Sequence, residues 1–475
     1  MPIRMTRRAV LPTLAAPLLT SAAQSRRPNV IFILTDDQGY GDLACHGNPV
    51  IQTPNLDRLH GQSVRFSDFQ ASPTCAPTRA SIMTGRHEFK SGVTHTIYER
   101  ERMSLKATTI AQVLQSAGYT TGIFGKWHLG DAAPYQPGRR GFDEVFIHGC
   151  GGIGQDYAGT CADAPGNTYF NPAILHNGVF EKTNGYCTDV FFGQALKWID
   201  QRRKSGAPFF AYITPNAPHI PLQCPEEYIA RYRGKAPDED TARYFGMVTN
   251  IDDNVGRLMG KLADWGMERD TVLIFMTDNG GISGVRVFNA GMRGAKATAW
   301  QGGTRVPLFV RWSGTWTPGG VKGLAGAIDL FPTLAAVTQT KIPVGLPLDG
   351  RSLLPLLENH DAPWADRYLF THVGRWDKGN ARRSKYANCR VRNARFSLIS
   401  LGPEKNWRLF DLTNDPGEKD NVIDRFPEVA RAMESAYDAW WEGILPSLEN
   451  EDAQPPAVAP FKELFWKQFG GRPTA

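Results

Sequence analysis

Four apolar runs constrain this chain more than any other feature: residues 30–34 (VIFIL), 121–124 (TGIF), 209–213 (FFAYI) and 272–276 (VLIFM). Each is continuously apolar rather than alternating, the pattern of strands covered on both faces in a mostly parallel sheet. Helical stretches fall between them. Residues 108–118 space Ile110, Val113 and Leu114 at helical intervals and end at a glycine, and residues 245–265 carry Met247, Val248, Ile251, Val255, Leu258, Met259 and Leu262. Strands alternating with helices predict an α/β architecture with a mostly parallel central sheet flanked by helices.

Every one of these runs stops at chemically useful residues. The first ends in Asp36-Asp37, the second runs into Lys126-Trp127-His128, the third into Asn216-Ala217-Pro218-His219, and the fourth into Asp278-Asn279-Gly280. Ligands of open parallel sheets bind outside the carboxyl ends of the strands. If the four strands are parallel, the acids, the carboxamide, the imidazoles and the ammonium meet at one rim. Singly, each group has an ordinary reading: a turn, a helix cap, a hydrogen-bonded histidine or a solvated lysine. Turn chemistry accounts for each residue type but not for the complementary set. Asp36, Asp37, Asp278 and Asn279 offer only oxygen, which suits calcium or magnesium rather than zinc or copper. Lys126, His128, His219 and Lys296 can donate to an anion. A hard cation facing basic side chains describes a site for transfer of a tetrahedral oxyanion, sulfate or phosphate.

The segment CAPTR (75–79) places Cys75 where a helix begins, with Pro77 in its first turn. The thiol there could be a nucleophile, a metal ligand, a packed group or the precursor of something else. Seven cysteines occur in all, Cys45, Cys75, Cys150, Cys161, Cys187, Cys224 and Cys389; they show no paired zinc-ligand spacing, so no structural zinc site is expected. With Cys75 set aside, six remain for disulfides whose pairing the sequence does not give.

At 475 residues the chain is long enough for more than one domain. After residues 346–357 (LPLDGRSLLPLL) the texture turns to short polar strands near 396–399 and 408–412 and a helix near 427–445. The expected division is a catalytic α/β unit over 24–345 and a smaller C-terminal α+β unit over 346–475. Residues 1–23 join Arg4, Arg7 and Arg8 to a short apolar stretch and end in Ser21-Ala22-Ala23, a signal for bacterial export by the general or twin-arginine route, to the periplasm or beyond. Of the net charge of +6, those arginines supply three, and the +3 left gives no case for nucleic acid. No later run is long and apolar enough to span a membrane.

CAPTR within SPTCAPTRASIMTGRH resembles the type I sulfatase signature, cysteine-x-proline-x-arginine, and GYTTGIFGKWHLG (118–130) resembles the second signature of that family. NVIFILTDDQGYGDL, NAPHIPL, NIDDNVGRL, FMTDNGG, MRGAKATAWQGGTRVPLFV, AIDLFPTL and LFDLTNDPGEKDNV extend the likeness over most of the chain. The resemblance implies an alkaline-phosphatase-like fold and hydrolysis of sulfate esters, sulfated carbohydrate being the best expectation. It implies that a separate maturation enzyme oxidises Cys75 to Cα-formylglycine, whose hydrate attacks sulfur and passes through a sulfated-enzyme intermediate. It further implies calcium, with magnesium as the alternative, on Asp36, Asp37, Asp278 and Asn279 and touching residue 75. Arg79 would steady the hydrate, Lys126 and Lys296 hold sulfate, His128 act as base, and His219 protonate the leaving oxygen. Gln301 departs from the family, many members of which carry glutamate there. Residues 150–167 and 376–386 are expected to shape the pocket, and Arg375, Lys378, Arg382, Arg383 and Lys385 either meet a polyanionic glycan or form a solvated loop. Phosphomonoester or phosphonate monoester hydrolysis on the same scaffold, a sulfated-glycan binder without turnover, and a cysteine hydrolase are the competing readings.

Overall fold

In the computed structural model, which describes Met1 and residues 27–471, the four apolar runs form the strands Asn29–Thr35, Thr120–Lys126, Phe209–Thr214 and Thr271–Thr277. The export segment expected over residues 1–23 lies, apart from Met1, outside the described residues. The strands are adjacent and parallel at the centre of a ten-stranded sheet: Asn29–Thr35 lies between Thr271–Thr277 and Phe209–Thr214, with Thr120–Lys126 beside the latter. Thr35 pairs with Thr277 and Gly125 with Thr214, so the polar residues that follow all leave the sheet at one edge. Glu144–His148 extends the parallel set, whereas Leu308–Trp312 runs antiparallel on the other side.

The continuous apolarity of the strands has the expected cause. Val30, Phe32 and Leu34 enter one core together with Ile123 and Tyr212, while Ile31 and Ile33 enter a second core on the opposite face with Phe124 and Ile213. Each of these side chains is essentially inaccessible to water. Burying one stabilises by about 1.5–3 kcal/mol, so the sheet has no face free to tolerate polar alternation.

The long helix on the second core runs Glu239–Asp264 and starts before the apolar stripe that marks it in the sequence. Its start is set by Asp238, whose carboxylate accepts from the Thr241 N–H at 2.8 Å, with Glu239 and Asp240 in the first turn. Asp252 on this helix is buried and accepts from Leu56 N at 2.7 Å and Asn55 N at 3.1 Å, two free donors at the start of the helix Pro54–Gly61. The NIDDN motif thus clamps the chain that follows the first strand.

The C-terminal strands Leu369–His372, Cys389–Arg392, Phe396–Ser400 and Arg408–Asp411 form a separate antiparallel sheet. The helix Pro427–Ile444 covers it through Met433, Tyr437 and Trp441. Among the elements the sequence reading did not name is the last helix: after the proline-rich segment, Pro460–Phe469 returns to the large sheet. There Phe461 is fully buried against Phe180, and Gln468 Oε1 accepts from Phe180 N at 2.8 Å. Among the described residues, no helix is long and apolar enough to cross a membrane.

Candidate active site

The two acidic pairs meet where their strands end. The Asp37 N–H donates to Asp278 Oδ1 at 3.1 Å, and Asn279 Nδ2 donates to Asp37 Oδ1 at 2.9 Å. Asp37 holds φ 66° and His128 φ 61°, the left-handed region that non-glycine residues rarely occupy and that tends to cluster at functional sites. The second strand reaches the rim only because residue 125 is glycine: a Cβ there would lie 2.1 Å from the Thr214 carbonyl oxygen. Lys126 then follows directly, and its Nζ stands 2.6 Å from Asp36 Oδ2 with both side chains fully buried.

Three cations balance the three carboxylates. Besides Lys126 on Asp36, Lys296 Nζ lies 2.6 Å from Asp37 Oδ2, and Arg79 Nη2 lies 2.9 Å from Asp278 Oδ2 while its Nη1 donates to the Lys126 carbonyl at 3.1 Å. Lys296, whose strand context the sequence did not reveal, arrives on a loop pinned by Lys296 N to Gly281 O and by Ala297 N to Pro73 O. Burial pushes Asp37 up, but Lys296, His219 and Lys126 outweigh it and hold the carboxyl well below the usual range. Asp278 goes the other way: burial and the neighbouring Asp36 raise it against the pull of Arg79.

Cys75 opens the helix Cys75–Thr84, every residue of which is buried. Its Sγ belongs to two groups of mutually close atoms, one with oxygens of Asp36 and Asp278 and one with Asp37 and His219, all within 4.8 Å of one another in each. Burial pushes the thiol up, against the charges of Lys126 and Lys296. Asp36 Oδ1 and Asn279 Oδ1 are buried and take no hydrogen bond from any described residue. Buried oxygens left so are costly unless a cation takes them. The donor set therefore fits a hard divalent ion.

Both histidines are held by backbone carbonyls. His128 Nε2 lies 2.7 Å from Thr96 O and so carries the proton, leaving Nδ1 with its lone pair and no described partner. His219 Nδ1 donates to Ile220 O at 2.6 Å, and its Nε2 stands 3.6 Å from Asp37 Oδ2. Burial drives both rings toward neutrality: His128 is held well below its usual value, with Lys126 adding to the effect, and His219 falls to about 3 despite Asp37.

A cleft of about 240 Å³ joins Cys75, His128, His219 and Lys296 to Thr96, Gln155, Tyr157 and Arg375. Gln155 and Tyr157 lie in the 150–167 segment, within a loop closed by a Cys150–Cys161 disulfide. Of the six cysteines available for bridging these two alone pair; Cys45, Cys187, Cys224 and Cys389 are free, as is Cys75. Arg375 faces the cleft, but Lys385 pairs with Asp438 and Arg382 with Glu442 on the C-terminal helix, so the basic group is divided. Gln301 lies away from the carboxylates: its Oε1 accepts from Arg392 at 3.1 Å and its N–H donates to Glu418, both in the C-terminal part. The expectation that residues 150–167 shape the pocket thus holds for Gln155 and Tyr157, whereas sequence reasoning missed Thr96 and the support behind Asp37, where the Tyr244 hydroxyl stands 2.8 Å from Asp37 O and 2.6 Å from Asp42 Oδ2. Only the spacing of Asp42 after Asp36-Asp37 offered a signal; loop contacts leave no periodic trace.

The family model for sulfatases matches residues 28–340, and that for the N-sulphoglucosamine sulphohydrolase C-terminal region matches residues 295–438. Arylsulfatase A of Homo sapiens is 30% identical over 90% of this chain and 89% of its own length. The N-acetylgalactosamine-6-sulfatase of Rattus norvegicus is 30% identical over 77% of this chain and 72% of its own. Among solved structures, Ps i-CgsB superposes with a TM-score of 0.78 at 28% identity, covering 94% of this chain and 98% of that one, and has also been solved in complex with k-i-k-neocarrahexaose. The rim of acids, the cysteine at the helix start and the extent of these matches lead to one assignment: the chain belongs to the sulfatase family, type I sulfatases of the alkaline-phosphatase-like superfamily, and is a sulfuric ester hydrolase.

Proposed function

We propose that this sulfatase removes sulfate from sulfated carbohydrates, using residue 75 in its formylglycine form and calcium held by Asp36, Asp37, Asp278 and Asn279. One observation carries the reading: Cys75 Sγ lies within 4.8 Å of oxygens from both acidic pairs and of His219, at the floor of an open cleft. The raised thiol supports it as well, because a protonated, buried sulfur is a poor nucleophile and a cysteine hydrolase would leave the acidic cluster idle. The likeness to Ps i-CgsB, solved with a neocarrahexaose, and to an N-acetylgalactosamine-6-sulfatase supports a saccharide as the alcohol half of the ester.

The cation would supply positive charge for sulfate oxygens and for the oxygen of residue 75. In its formylglycine form residue 75 would supply two hydroxyls on one carbon, one for attack on sulfur with the sugar oxygen as leaving group and one to give up its proton when sulfate is released. His128 suits that deprotonation, since its proton is committed to the Thr96 carbonyl and Nδ1 is free to accept. His219 presents Nε2 toward Asp37 and the cleft. Burial holds it toward neutrality, and the negative charge of an arriving sulfate would push it up, toward the protonated form that can give the leaving oxygen its proton. Lys126 and Lys296 act electrostatically on residue 75 and would take sulfate oxygens. Arg79 fixes Asp278 and the end of the second strand rather than meeting substrate.

Residues 24–345 form the catalytic unit in this reading and 346–475 the smaller unit, with residues 1–23 directing export. The Cys150–Cys161 disulfide supports export, because such bonds persist in oxidising compartments. Peptide mass spectrometry across residue 75, from a host with the maturation enzyme, is expected to find the aldehyde. Sulfated mono- and oligosaccharides should release sulfate, with Cys75→Ala slower by roughly a thousandfold or more. An unmodified thiol in fully active protein, or a large preference for phosphate esters assayed in parallel, would overturn the proposal.

A further inference from the structure

Outside the cleft, Cys45, His46 and His60 bring a sulfur and two ring nitrogens within 4.8 Å of one another. Cys45 and His46 sit in the short turn Ala44–His46, and His60 lies in the last turn of the helix Pro54–Gly61. None of the three lines the catalytic cleft, and all are half-buried. We propose that these three side chains form a second metal site, for zinc or a like transition-metal ion, with the fourth position left to water.

The geometry prepares the ligands. His46 Nδ1 stands 2.7 Å from the Tyr40 carbonyl oxygen, so Nδ1 carries the proton and Nε2 keeps its lone pair. A backbone carbonyl on the far nitrogen is the usual device that orients a metal-binding imidazole. The His46 ring is stacked on Tyr40 at 3.9 Å, and both histidines stand edge-on to Phe309, which fixes their planes. No hydrogen bond links the His60 ring nitrogens to any described residue. Burial, with Arg305 near His46 and Arg65 near His60, pushes both rings toward the neutral form. One sulfur with two imidazoles matches zinc and excludes calcium, whose ligands are oxygens. Cysteine spacing alone gave no hint of this set, because His60 arrives from a different element.

Binding here is coupled to a proton. The ligand is the thiolate, so the ion displaces the Sγ proton as the metal–sulfur bond forms and one proton is released per ion bound. The competing account is purely structural: two rings packed on Phe309 and a thiol resting against Asp57.

The test is a cobalt titration of the mature protein in saturating calcium, which occupies the carboxylate cluster. One equivalent of Co²⁺ should give a thiolate-to-cobalt charge-transfer band with tetrahedral d–d absorption, reversed by Zn²⁺. Cys45→Ala should abolish the band, and His60→Gln should weaken binding by about tenfold or more. Cys75→Ala should leave the band intact, and Zn²⁺ should protect Cys45 from alkylation. Sulfate release by the Cys45 and His60 variants, expected to match the parent, certifies their folding. Absence of the band, its survival in Cys45→Ala, or its loss in Cys75→Ala would each overturn the proposal.

Discussion

Replacing Lys126 with methionine keeps the length of the side chain and removes its charge, leaving Asp36 without its buried partner. At the observed N···O distance of 2.6 Å and an effective dielectric constant of about 20, the lost attraction is roughly 6 kcal/mol. Part returns because the ammonium no longer has to be desolvated, and breaking one side of a buried pair costs about 3–5 kcal/mol in practice. For a folded body of roughly 450 residues the unfolding entropy is about 0.9 kcal/mol/K, so the melting temperature should fall by about 3–5 °C. That loss belongs to calcium-free protein. If calcium binds as proposed, a second positive charge would stand beside Asp36, and the loss should shrink to about half or less. Scanning fluorimetry in chelator and in calcium measures both, and the Lys126→Met/Asp36→Asn pair should recover most of the chelator loss, because the unpaired charge is gone. An equal loss with and without calcium would refute the reasoning, since Asp36 would then not belong to a cation site.

Burial lowers His148 to about 3, with Lys126 and Arg79 adding to the effect against the Gly149 carbonyl that its Nδ1 meets at 2.8 Å. A depressed histidine stabilises the fold above its unfolded value near 6.5 and loses that contribution as pH falls toward 3, so His148→Gln should gain on the parent by about 2 kcal/mol between pH 6.5 and 5, read from urea midpoints. Removing the Cys150–Cys161 bridge with the paired serine variant opens a loop with a sequence separation of 11, and chain entropy puts the cost near 3 kcal/mol. Because that loop carries Gln155 and Tyr157 to the cleft, KM for an oligosaccharide should rise more than kcat falls; an unchanged KM would remove the loop from substrate binding.

Much of the fold was legible because its strands are buried on both faces, which leaves no ambiguity of register or side. Ile31 and Phe32 point into different cores, and neither position tolerates a polar residue. The long helix was found through its stripe but not its start, because Asp238 caps it through one side-chain contact that periodicity does not register. The helix Pro460–Phe469 was missed for a related reason: a proline-rich approach reads as the end of order, and only Phe180 and Phe461 meeting across the chain give it a place.

The residues at the strand ends, their order and the chemistry they can offer together were written in the chain itself, because a parallel sheet delivers whatever follows its strands to a single rim. What the folded molecule alone decided was who pairs with whom. Lys126 and Lys296 stand on Asp36 and Asp37, Thr96 sets the proton of His128, a disulfide holds Gln155 and Tyr157 over the cleft, and His60 comes round to Cys45 and His46. Such pairings rest on contacts a few ångströms long between residues distant in sequence, and local pattern carries no record of them.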